Sequence, residues 1–183
     1  MKTSKIKEHK DYQKLTSQIN EFDPNKHKNM PTWILDVSQK NFQLMMDYVD
    51  CLDQKADALI KYLGLGTGFV GFFLGSFFCK FNSLEKGIFF LGILAWIVSV
   101  SLTLFIRTPS SVSYPPPITT AFKDMCEYSD QGAVQAKFSL YYERAAVGQM
   151  IVGGHKANIL KWANGLLFFA LVLFLLSFLL AWF

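Results

Sequence analysis

Charge is scarce in this chain. Asp, Glu, Lys and Arg make up 17% of 183 residues, where a soluble domain carries about 25%. An ordinary water-soluble domain is therefore disfavoured. Cysteine is scarce too, and Cys51, Cys79 and Cys126 are odd in number and widely spaced. They offer no disulfide framework and no CxxC metal knuckle, and read as packing or lipid-facing thiols in a reducing compartment. Histidine is confined to His9, His27 and His155, scattered along the chain. No metal site and no cofactor are expected. Glycine, at 12 residues, is too rare for a collagen-like repeat. Aromatics are plentiful, and 18 Phe exclude a disordered chain.

The missing charge is missing from three places. Residues 62–79, between Lys61 and Lys80, are uncharged. So are residues 87–106, between Lys86 and Arg107, and residues 162–183. A helix needs about 20 apolar residues to cross a hydrocarbon core of about 30 Å. The second and third runs meet this length. The first is shorter and glycine-rich, and the lysines at its ends let it span by snorkelling. The pattern predicts an all-α integral membrane protein with three transmembrane helices. Its segments are a polar arm (1–32), a cytoplasmic amphipathic helix (33–61), a transmembrane hairpin (62–107), a cytoplasmic helical segment (108–161) and a last transmembrane helix (162–183).

Loop charge sets the orientation. Residues 1–61 carry ten Lys, residues 107–161 carry six Lys or Arg, and the connection 80–86 carries two Lys. Basic excess marks the cytoplasmic side. Residues 1–32 also contain no apolar signal-peptide core. A multi-pass protein with a cytoplasmic N-terminus is expected.

Two stripes adjoin the membrane runs. Phe42, Met45, Val49, Leu52, Ala56, Leu59 and Leu63 repeat at spacing 3-4, which is a heptad seam. Asp36 and Ser38 are candidate caps at its start. The second stripe is Val134, Phe138, Tyr141, Ala145, Gly148, Val152, His155, Ile159 and Trp162. The stripes must pack on each other or on neighbouring copies, and oligomerisation is the economical solution. Pro115-Pro116-Pro117 and Thr108-Pro109 mark an extended break between the second membrane run and the second stripe. Residues 118–128 allow a short helix. The arm before residue 31 reads as a loose segment or a short helix with a solvated surface.

Gly64, Gly68, Gly71 and Gly75 fall at spacing 4-3-4, on one face of the first membrane helix. They predict a helix–helix interface, or tight packing within the hairpin. Gly153 and Gly154 mark a bend or hinge. His155, with Lys156, Asn158 and Lys161, is either part of a small anionic-ligand or coupling site, or a satisfied core residue beside snorkelling lysines. Asp53 and Lys55 join them as ligand or coupling candidates, and Asp53, Lys55, Asp57 and Lys61 are also placed for helix-surface pairs at i to i+4. No Walker loop, GxSxG, HExxH or paired-carboxylate arrangement is present, so no catalytic residue is assigned and no enzyme is expected. Arg144 and His155 are too far apart for the close Arg–His pair of a helical ribonuclease motif, which keeps a membrane-bound enzyme a minor alternative. No basic helix stripe marks a nucleic-acid face.

The run Asp53-Gln54-Lys55-Ala56-Asp57-Ala58-Leu59 before a membrane hairpin, and His155-Lys156-Ala157-Asn158-Ile159-Leu160-Lys161 before a last membrane helix, resemble the transmembrane effectors of Pycsar antiphage systems. More loosely they resemble small membrane effectors of CRISPR-linked defence. The resemblance spans residue 42 to the C-terminus. It carries Asp53, Lys55, Ala56 and Lys156, while the arm and the Gly153-Gly154 pair have no counterpart. It implies an inner-membrane effector of abortive infection that responds to cCMP or cUMP and impairs the bilayer. The alternative is an accessory pore or scaffold with no nucleotide ligand of its own.

Overall fold

The computed structural model of the chain describes residues 6–27, 31–77, 81–107, 114–116, 119–120, 123, 128 and 130–182, with backbone alone at 69, 73, 74, 76 and 77. The break at Thr108-Pro109, most of residues 118–128, Cys79 and Cys126 lie outside them. Among the described residues the chain is all-α, with four α-helices. They are α1 (Lys10–Asn20), α2 (Thr32–Phe77), α3 (Ser83–Arg107) and α4 (Gln131–Trp182). A single 3-10 turn, Pro24–His27, follows α1. Helices α3 and α4 are each long and apolar enough to cross a membrane.

The helix starts are chemically marked. Before α3, the Asn82 N–H donates to Glu85 Oε2 at 2.7 Å, the returning half of a capping box. Before α4, Asp130 Oδ1 accepts from the Gly132 N–H at 2.7 Å, as an N-cap carboxylate does. Helix α2 departs from expectation. It begins at Thr32, so Asp36 and Ser38 lie inside it and cap nothing. Ser38 is instead buried, with its Oγ 2.6 Å from Ser139 Oγ.

The chain divides into two compact units. The first comprises Met1–Asp50 and Pro109–His155. Within it α2 and α4 run parallel, because the paired residues keep a nearly constant separation. Ser38 meets Ser139, 101 residues on, and Met46 meets Gln149, 103 residues on. Phe42 and Tyr142 pack edge to face with centroids 5.9 Å apart. Thus the two seams meet each other within one chain, and they do not call for a second copy. Helix α1 also belongs to this unit and is held by buried Ile6 and Ile19. Phe22, just beyond α1, stacks on His27 and meets Tyr128 edge-on.

Gln149 is 1% exposed in this seam. Its Nε2 donates only to the weak acceptor Met46 Sδ at 2.9 Å, and its Oε1 has no partner among the described residues. A buried polar group left unsatisfied is costly. Gln149→Leu should therefore raise stability by about 1–2 kcal/mol, read as a higher unfolding midpoint by circular dichroism in detergent. A lower midpoint would mean that the amide holds the register of α2 on α4.

The second unit comprises Cys51–Thr108 and Lys156–Phe183. Its core joins Leu52, Ala56, Leu59 and Leu63 of α2 to Ile106 of α3 and Leu160 and Ala163 of α4. Each of the Leu and Ile side chains would contribute about 1.5–3 kcal/mol if buried from water. In a bilayer the gain comes from packing and hydrogen bonds instead. Ser99 Oγ of α3 donates to the Ala163 carbonyl of α4 at 2.8 Å. Gly92 of α3 faces Phe174 and Ala170 of α4. The two contact sets run in opposite sequence order, so α3 and α4 are antiparallel.

The first seam is buried where periodicity places it, from Val49 through Leu63. The second holds through Val152 and then slips by one residue. The buried positions continue as Lys156, Leu160 and Ala163, while His155 and Trp162 are exposed. A straight helix of 3.6 residues per turn drifts about 20° per heptad from a 3.5 repeat. The extra four-residue step from Val152 through Lys156 to Leu160 absorbs that drift.

Candidate functional site

The slip in the second seam places Lys156 inside and His155 outside. Lys156 Nζ lies 2.6 Å from Asp53 Oδ1 and 2.8 Å from Oδ2. The lysine side chain is 11% exposed and the aspartate 41%. Asp53 is adjacent to Leu52 on the α2 seam, so its carboxylate reaches α4; four residues on along its own helix it meets only Asp57, a like charge. Asp57 in turn reaches toward α3. Arg107 Nε lies 2.9 Å from Asp57 Oδ1, off the hydrogen-bond axis, since that oxygen makes no hydrogen bond among the described residues. Both partners of this second pair are about half exposed. Water screens them, and the pair is worth about 0–1 kcal/mol.

Of the six residues expected in a ligand or coupling site, the structure joins only Asp53 and Lys156. Lys55, His155, Asn158 and Lys161 are exposed and have no side-chain partner among the described residues. The reading of His155 as a buried imidazole on the stripe is thus corrected. Lys156 is a link between α2 and α4, and two of its ammonium contacts are taken by one carboxylate.

The glycines also divide differently from expectation. Helix α4 runs unbroken through Gly153 and Gly154, so the pair marks no break. Gly153 is a place of close approach. A Cβ there would fall 2.7 Å from Cε1 of Tyr48. Gly64, Gly68, Gly71 and Gly75 are all exposed, and a Cβ on any of them would meet nothing within 4 Å. They are not packing within the hairpin of this chain. Gly66, outside that set, is the one on α2 that faces a neighbour, Trp96.

A second arrangement was not legible in the sequence. In the first unit, α1 and the residues just before it border an open cavity of about 490 Å³. Lys7, Tyr12, Gln13 and Asn20 form one side, and Arg144 of α4 forms the other. The Arg144 guanidinium carbon lies 5.9 Å from the Tyr12 ring centroid and 5.6 Å from that of Tyr141. Its Nε is shielded from solvent and has no acceptor among the described residues. The available sequence signal was weak, consisting of Tyr12 and Ile19 as apolar positions in a Lys-rich arm.

Among the described residues no group of three or more His, Cys, Asp or Glu could hold a metal ion. None of the protein-family models, curated proteins or solved structures compared with the chain matches it.

Proposed function

We propose that the chain is a multi-pass membrane protein of the bacterial inner membrane, with its N-terminus cytoplasmic, that impairs the bilayer as an antiphage effector. The observation that carries this reading is the outward face of the second unit. On α3, Phe90, Leu94 and Phe105 are exposed, and on α4 so are Phe168, Leu175 and Leu179. Apolar surface this continuous is what a lipid-facing or partner-facing surface requires. The glycine-rich upper part of α2 supplies the third span. Its open face supports self-association, because small residues let membrane helices approach closely. The defence role and the cyclic pyrimidine nucleotide signal, cCMP or cUMP, rest on the resemblance described above.

The test is dye release from liposomes carrying the purified protein, with insertion checked by flotation. Gly68→Leu and Gly71→Leu should each abolish release while leaving insertion intact. Unchanged release in both would remove the glycine face from the mechanism. A second reading, an accessory pore or scaffold with no nucleotide ligand, is favoured by the engagement of Lys156 with Asp53, which withdraws one expected phosphate contact. Binding of labelled cCMP or cUMP to the purified chain separates the two.

A further inference from the structure

We infer that Lys61, Arg107 and Lys161, at one end of the second unit, form a binding surface for anionic phospholipid headgroups, which rests on the membrane reading proposed above and adds to it the class of lipid selected.

The core beneath these residues sets them at one level. Leu59 and Leu63 of α2, Ile106 of α3, and Leu160 and Ala163 of α4 pack in a single cluster. Lys61 and Tyr62 lie between the first two in sequence, Arg107 follows Ile106, and Lys161 and Trp162 lie between the last two. All five are exposed, so three helices present cations and rings outward around the same layer of core. Tyr and Trp have an apolar body and a polar tip, and they settle at the headgroup level of a bilayer. The length of α4 agrees with that placement. Trp182 is exposed as well, and no charged residue lies between Trp162 and Trp182. The rise from one to the other is about 30 Å, the thickness of a hydrocarbon core. In the orientation proposed above, the level of Trp162 is the cytoplasmic leaflet.

Charge then selects the lipid. The acids of this unit are Asp53, Asp57 and Glu85. Asp53 is engaged by Lys156, Asp57 by Arg107, and Glu85 caps the start of α3, the far end from Arg107. Lys61 and Lys161 therefore have no carboxylate left to meet within the unit. Arg107 meets Asp57 through Nε, which leaves its terminal amino groups for a planar, two-point contact with phosphate oxygens. A zwitterionic lipid carries its own ammonium beside the phosphate and offers these cations little. An anionic lipid offers a net negative charge, and each lysine near such a surface favours it by about fivefold.

The full-length chain reconstituted in phosphatidylcholine bilayers tests this surface. Phosphatidylglycerol with brominated acyl chains is added in one series and brominated phosphatidylcholine in the other, and tryptophan quenching gives their relative binding constants. Phosphatidylglycerol should be preferred by about tenfold or more at low salt. The preference should shrink toward equality at about 1 M salt, where the screening length is about 3 Å. Lys61→Gln with Lys161→Gln should reduce it to about twofold. Both lysines are exposed, so the double variant keeps the core intact. Lys14→Gln with Lys40→Gln makes the same change of charge in the first unit and should leave the preference as it was. Equal binding of the two lipids, an unchanged preference in Lys61→Gln/Lys161→Gln, or an equal loss in the Lys14/Lys40 variant would each overturn the inference. Loss of the preference to inorganic phosphate at constant ionic strength would also overturn it, by showing that the cations take a soluble anion. Equal quenching by both lipids leaves the membrane reading standing, whereas no quenching by either removes that reading and the lipid surface together.

Discussion

Asp53→Ala should destabilise the packing of α2 on α4 more than Lys156→Met does. The asymmetry follows from exposure. Removing the carboxylate strands an ammonium whose side chain is 11% exposed, and removing the ammonium leaves a carboxylate that is 41% exposed. Breaking a fully buried pair costs about 3–5 kcal/mol. Here water reaches the aspartate, so about 2–3 kcal/mol is expected for Asp53→Ala. Lys156→Met keeps the unbranched stem in the seam beside Leu160 and exchanges a charge for a thioether, so a loss of about 1 kcal/mol or less is expected. The double variant should resemble Lys156→Met, because the stranded charge has gone. Chemical unfolding in detergent measures all three. Equal losses in the two single variants would show that the pair is merely a surface contact. A double variant as unstable as Asp53→Ala would show that the aspartate acts through something other than this lysine.

Gly92→Leu should be the most damaging of the glycine substitutions. A Cβ at Gly92 would fall 2.7 and 2.9 Å from two carbons of the Phe174 ring and 3.4 Å from the Ala170 carbonyl oxygen. The ring has little room to retreat, because Phe89, itself buried, packs against it with centroids 5.1 Å apart. The backbone oxygen cannot retreat without moving α4. Overpacking of this kind costs about 1–3 kcal/mol or more, and a leucine would force α3 and α4 apart and strain the Ser99–Ala163 hydrogen bond. The expected readout is a lower unfolding midpoint and faster proteolysis of the second unit. Gly153→Ala makes the comparison informative. Its Cβ would also meet a ring at 2.7 Å, but that ring belongs to Tyr48, which is 43% exposed and free to swing outward. The gain in helix propensity of about 1 kcal/mol offsets the contact, so a near-neutral change is expected there. Equal losses at the two glycines would mean that ring mobility does not decide the outcome.

The parts of the fold that depend on local rules were legible in the residues. The gaps in charge located α3 and the end of α4, and the 3-4 spacing from Val49 to Leu63 named positions that are buried. What was not legible depends on distance along the chain. Nothing near Asp53 indicates that its partner lies at Lys156, because only i to i+3 or i+4 pairing is visible locally and the residue four positions on is Asp57, a like charge. A strict heptad carried past Val152 put His155 in the seam, and the drift of a real helix put Lys156 there. The glycines show the same limit. Spacing identifies Gly64 through Gly75 as one face, but which glycine has a neighbour depends on the facing helix, and Gly66, Gly92 and Gly153 are among those that do. The cavity at Arg144 has no local signature, because a mixed-charge arm with few apolar residues carries little periodic signal.

The parallel pairing of α2 with α4 has a consequence for how the protein is made. Its contacts join residues about 100 to 105 positions apart, and α2 is synthesised first. At about 5–20 residues per second, the ribosome needs on the order of 5–20 s to deliver Lys156 after Asp53. Throughout that interval the seam of α2 has only α3 to pack against, and Asp53 has no lysine to meet. Late closure of contacts so far apart is slow and exposes apolar surface. A chain stalled before the second half of α4 would therefore present Leu52, Leu59 and Leu63 incompletely covered to proteases and chaperones, and the last helix acts as the step that commits the nascent protein to its finished form.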